Sequence, residues 1–152
     1  MGIFSKKRRN NDTELRDRCL GGLITIYRLL LVKAGEEELK KFSENSTYIR
    51  SILCGHIDHT YSYLTDSDLM NRNNAESEFV SVTVTFFMQK EGINLDRDGY
   101  PNQEESNTAF EFYSQGINIS KALLEEKDPD KWTSLIDEAA ENIKKVNARE
   151  ES

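Results

Sequence analysis

Apolar residues recur at helical spacing over most of this chain. In the first third, Leu20, Leu23, Ile24, Tyr27, Leu30 and Leu31 fall on one stripe, and Ile26 and Leu29 widen it. The pattern predicts a helix from about Thr13 to Ala34 that is buried on more than one side, the natural centre of a bundle. Asp12 or Thr13 can cap its start, and Gly35 stands where a left-handed residue at the C-terminal end is wanted. Gly21 and Gly22 each weaken a helix by roughly 1 kcal/mol relative to Ala. Their expected use is to let a second helix come close.

Five further segments follow. Glu36 to Phe42 is a short helix with acidic residues first and basic residues last, the order that suits the helix dipole. Asn45 or Ser46 caps a helix of about Thr47 to Leu64 whose apolar face is Ile49, Ile52, Leu53, Ile57, Tyr63 and Leu64. Residues 65–74 are polar and read as a loop. In segment 78–88, Val80, Val82, Val84 and Phe86 alternate with Ser81, Thr83 and Thr85, which is a strand pattern. Phe79, Val82, Phe86 and Phe87 also fit a helix, and Met88 to Gly92 reads as a helix end. No other segment offers a partner strand, so a helix is favoured. Asn102 or Ser106 starts a helix running to about Glu126 with Phe110, Tyr113, Ile117, Leu123 and Leu124 facing inward. Asp128-Pro129 sets a cap and a first helical residue. Trp132, Leu135, Ile136, Ala139, Ile143 and Val146 then form the last stripe.

The expected fold class is all-α: a single-domain bundle of five or six helices around the N-terminal one. Residues 12–148 form the domain, 1–11 a flexible basic tail, and 149–152 a frayed end. A chain of 152 residues is long enough for one such core.

Charge narrows the partners. Net charge is −7, but residues 1–20 carry six basic and three acidic side chains, so they are +3 and the remainder is −10. An acidic body is a poor surface for nucleic acid, which needs clustered Lys and Arg. It suits a basic protein or a cation. The tail, with Ile3-Phe4 before Lys6-Lys7-Arg8-Arg9, is expected to be solvated; contact with an anionic membrane is a lesser reading. The sixth residue is Lys rather than Ser or Thr, so the N-myristoylation pattern is not met. Two cysteines, Cys19 and Cys54, make no disulfide framework, and the expected location is cytoplasmic with both thiols reduced.

Three sets of residues carry candidate chemistry. Asn94, Asp96, Asp98, Tyr100 (through its carbonyl), Asn102 (through water) and Glu105 match the ligand positions of an EF-hand calcium loop, with Gly99 at the sharp turn. Asn94 stands where Asp is usual, Pro101 where an aliphatic residue is usual, and there is no second loop. A plain connection explains the same residues: Asp98-Gly99 as a turn, and Asn102 with Glu105 as a helix cap. His56 and His59 lie one helical turn apart, with Cys54 and Asp58 close by. They could share a metal, as a helical metalloenzyme would require, or His56 could sit at the core edge. No Gly-x-Ser-x-Gly elbow or phosphate loop is present. The third set is acidic: Glu125, Glu126, Asp128, Asp130, Asp137, Glu138 and Glu141. It would suit a basic partner. These observations lead to an expectation of a non-enzymatic protein that binds another macromolecule, of adaptor, chaperone or toxin-immunity type. A calcium-binding protein is the alternative, and a metalloenzyme the third.

Overall fold

A computed structural model describes residues 2–95 and 101–151, with side chains for 12–95 and 101–150. Among the described residues six α-helices follow one another: α1 (Gly2–Ala34), α2 (Glu36–Ser43), α3 (Ser46–Thr65), α4 (Asn74–Lys90), α5 (Gln103–Leu124) and α6 (Pro129–Glu151). A 3-10 turn, Leu69–Asn71, interrupts the connection from α3 to α4. Among the described residues there is no strand, and segment 78–88 is helix. The protein is an all-α bundle.

The ends of the helices follow local chemistry. Asn45 caps α3, its side chain accepting from the Thr47 amide at 3.1 Å. Asn73 and Glu76 form a reciprocal capping box on α4. Asp128 caps α6 by accepting from the Lys131 amide at 3.1 Å, with Pro129 as the first helical residue. Gly92 ends α4 at φ 72°. Its amide returns to Gln89 O and that of Ile93 to Met88 O, the double bond of a Schellman end, and Ile93 is buried over it. Gly35 also has positive φ, but at φ 95° and ψ 155° it is extended rather than left-handed helical. That conformation is open essentially to glycine alone and redirects the chain at once into α2. The helix α1 begins at Gly2 rather than near Thr13, and α6 continues to Glu151.

Helix α1 packs on α2, α3, α4 and α6, and α3 packs on α1, α2, α4 and α5. The core is shared between them. Leu23, Ile26 and Leu30 of α1 and Ile49, Ile52, Leu53 and Ile57 of α3 are all buried. Phe42, Tyr48 and Phe112 form an aromatic trio that joins α2, α3 and α5, with Phe42 and Phe112 edge to face at 4.8 Å. The buried amide of Asn147 donates to both the carbonyl and the carboxylate of Glu38, fixing α6 to α2.

The tightest joint is between α3 and α5. A Cβ built on Gly55 would fall on the Tyr113 carbonyl, 2.9 Å from its carbon. One built on Gly116 would fall on the Ile52 carbonyl, 2.8 Å from the His56 amide nitrogen. Each helix therefore presents bare backbone to the other. This joint selects the inward face of α5. The expected inward residues were Phe110, Tyr113, Ile117, Leu123 and Leu124. The buried ones are Thr108, Phe112, Gly116, Ile119, Ser120 and Ala122, while Phe110 is 68% exposed. At the joint itself Gly116 faces the neighbour because only a residue without a side chain allows the approach, and Phe112 and Ile119 are buried on the same face. On α3 the expected Tyr63 is exposed and Tyr61 is buried in its stead.

Gly55→Ala and Gly116→Ala should each destabilise the fold by about 2 kcal/mol or more, as overpacking against backbone does. Gly21→Ala meets nothing within 4 Å and should stabilise by about 0.5–1 kcal/mol through helix propensity. Urea unfolding of the three variants checks both signs. Equal effects at Gly21 and Gly55 would contradict the close joint.

Candidate functional site

The calcium-loop residues divide. Asp96, Asp98 and Tyr100 lie outside the described residues. Asn102 is the N-cap of α5, its side chain accepting from the Glu105 amide at 2.8 Å. That is the role a plain connection gives it. Asn94 is exposed and lies at the rim of a cleft beside α2.

The two histidines turn to different neighbours. His56 is 3% exposed and packs on α1, where a Cβ on Gly22 would stand 3.2 Å from its Cε1. Gly22 thus leaves room for this side chain rather than for a closely approaching helix, and Gly21 faces open space. The ring is inside the core rather than at its edge, and Nδ1 has no hydrogen-bond partner among the described residues. Burial, reinforced by His59, pushes the His56 pKa down to about 4. His59 instead reaches α5: Nδ1 is 2.8 Å from Ser120 Oγ and Nε2 is 2.9 Å from Glu125 Oε1. Among the described residues no three His, Cys, Asp or Glu side chains are grouped to hold a metal ion.

Ser120, His59 and Glu125 are the residue types of a nucleophile, its base and an orienting acid. Their setting gives them another task. Ser120 Oγ is fully buried between α3 and α5 and also meets Thr60 Oγ1 at 2.9 Å, while Thr60 donates to the His56 carbonyl. No carbonyl carbon can reach that oxygen. The three side chains satisfy one another's polar atoms across the helix joint.

A second polar cluster lies on the other side of α3, and reading the sequence missed it. Arg72, from the loop between α3 and α4, places Nη1 2.6 Å from Asp58 Oδ1 with only 7% of its side chain exposed. It also donates to the Asp58 carbonyl and to Ser62 Oγ, and it lies over the Tyr61 ring at 4.9 Å. Tyr113 Oη donates to the other carboxylate oxygen of Asp58 at 2.6 Å. Burial first, and the Asp58 carboxylate second, push the Tyr113 phenol above its usual range. Nearby Cys54 is raised to about 11, mainly by burial, so its thiol stays protonated and is a poor nucleophile at neutral pH.

The seven acidic residues at the end of α5 and along α6 are all exposed. Several are already matched with cations: Glu126 with Lys131 at 2.6 Å, Asp137 with Lys33 at 3.2 Å and Glu141 with Lys144 at 3.5 Å. Glu125 holds His59. The face is acidic but less bare than the sequence suggests.

An apolar groove lies between α1 and α4, with a volume of about 580 Å³. Its floor is Leu20 and Phe79, both half-buried, and its wall is Val82 and Phe86, which are 58% and 50% exposed. The groove explains why 78–88 looked like a strand. Val80, Thr83, Val84, Phe87 and Met88 face the core, and Val82 and Phe86 face the groove, so α4 is apolar on two sides. Such a helix blurs its own period. Phe86, on the helical stripe of this segment, and Phe110, expected to face inward, are both exposed.

No protein-family description, curated protein or solved structure matches the chain. Among the described residues, no helix is long and apolar enough to cross a membrane.

The depressed pKa of His56 predicts a pH dependence. Its folded value of about 4 lies below the unfolded value of 6.5, so the unfolded chain binds the extra proton between them. Stability should therefore be fullest above about pH 6.5 and fall towards pH 4, by on the order of 3 kcal/mol from this group. Urea unfolding of wild type and His56→Gln across that window should give curves that converge as the pH falls. Parallel curves would contradict a buried neutral imidazole.

Proposed function

We propose that this protein is a non-enzymatic binding module of adaptor, chaperone or immunity type, which seats an amphipathic helix of a basic protein partner in the groove between α1 and α4. The carrying observation is the exposure of Val82 and Phe86, one turn apart on α4, beside the half-buried Leu20 and Phe79. Single exposed apolar residues are ordinary. An apolar stripe at i, i+3 and i+7 that lines a cleft is the form in which helical proteins receive a partner helix.

Charge supports a basic occupant. The groove rim carries Asp17 and Glu78 against Arg16. Beyond the first 20 residues the chain is strongly acidic. Such a field steers a cationic segment towards the protein and acts mainly on association rate. The acidic face of α5 and α6 contributes at that longer range, and the groove supplies the contact that holds.

A photo-reactive residue placed at Phe86 in the native host tests this reading. The expected adduct joins it to a Lys/Arg-rich amphipathic segment of another protein. Binding of that segment should weaken as salt rises, and Val82→Asp should reduce its affinity by about tenfold or more. Adducts only with a second copy of this chain, or salt-independent affinity, would overturn the proposal.

A further inference from the structure

A second cleft, of about 580 Å³, lies between α3, α4 and the Leu69–Asn71 turn. Its lining includes Arg50 and Arg72, and among the charged groups of the described residues only Asp58 opposes them. Asp58 is fully engaged: Arg72 takes one carboxylate oxygen and Tyr113 the other. Its charge therefore balances Arg72, whose Nη2 also donates to the Asp58 carbonyl and Ser62 Oγ, while its buried Nε has no partner among the described residues. Among the described residues Arg50 is left with neutral partners. Nη2 donates to Thr85 Oγ1 at 3.1 Å and to Ser81 Oγ at 3.4 Å, and Nη1 meets the sulfur of Met88 at 3.9 Å.

A half-buried guanidinium has lost part of its hydration without gaining a counter-charge. Hydroxyls on α4 hold it by one arm, which fixes the plane of the fork. Ser77 and Ser81, one turn apart on the same helix, line the cleft beside it. A planar cation with spare donors, flanked by two hydroxyls, is the donor set that reads an oxyanion through two parallel hydrogen bonds. At the mouth, Met70 is 85% exposed and offers an apolar surface. The volume is that of a pocket for a small molecule.

We infer that this cleft is a binding site for a small organic oxyanion, a phosphate monoester or a carboxylate, carrying an apolar substituent. Arg50 takes the anionic group, Ser77 and Ser81 donate to it, and Met70 covers the substituent. The site is separate from the groove between α1 and α4 and does not depend on what that groove binds.

Titration of the full chain with inorganic phosphate, hexyl phosphate and hexanoate, followed by amide NMR shifts and calorimetry, tests the site. One of the two hexyl ligands should bind at a single site about tenfold more tightly than inorganic phosphate, and which one binds identifies the head group. Shifts should centre on residues 50–54 and 77–81. Arg50→Gln should lose about tenfold or more in affinity, and Arg50→Lys, which keeps the charge but not the fork, should also weaken binding. Met70→Ala should reduce the preference for the hexyl ligands and leave inorganic phosphate unchanged. Shifts confined to the basic residues 6–9, equal binding by Arg50→Gln and wild type, or no binding by about 10 mM ligand would overturn the inference.

Discussion

The rest of the structure depends on the contact of bare backbone between α3 and α5. Gly55 and Gly116 each lie under a carbonyl of the opposite helix, and neither position has room for a methyl group. Two helices that meet this closely gain dispersion contacts along the whole joint, because main-chain atoms replace the outer atoms of side chains. They also lose freedom to rotate. Once Gly116 faces Ile52, Phe112 must enter the aromatic trio, Ser120 must meet His59 and Thr60, and Tyr113 must stand at Asp58. The polar clusters on the two sides of α3 are thus set by the same two glycines.

This explains what could be read from the sequence and what could not. The helices were legible because their caps are local: Asn45, Asn102, Asp128-Pro129 and the Gly92 end act through residues within one turn. The stripe of α6 was legible because one side faces the core and the other faces water. The inward face of α5 was not, because it is chosen by absence of side chain rather than by hydrophobicity. Gly116 and Ser120 carry little apolar surface, and Phe110 carries much, yet Phe110 is the exposed one. Arg72 was hidden in another way. It sits in a polar loop, and nothing within that loop indicates that its guanidinium returns to Asp58.

The candidate chemistry shows the same division. Sequence spacing brought His56 and His59 to adjacent turns, but one turn of helix also points them at different helices. His56 meets Gly22 of α1, and His59 meets Ser120 and Glu125 of α5. Spacing alone fixes a shared face, not a shared partner. The groove between α1 and α4 and the Arg50 cleft both lie along α4. That helix is held through Tyr27 against Phe87 on one side and Tyr61 against Phe79 on the other. It is apolar towards the core, apolar towards the groove and hydroxyl-bearing towards Arg50.

Hydrogen exchange of backbone amides tests the α3–α5 joint most directly. If this contact organises the fold, amides of residues 52–60 and 112–120 should exchange only through global unfolding, with the highest protection in the protein, and should respond together to denaturant. Amides of α4, which has no such close backbone joint with its neighbours α1 and α3, should open at lower free energy. Exchange of the α5 segment through local opening, while α1 or α6 stays protected, would contradict the account.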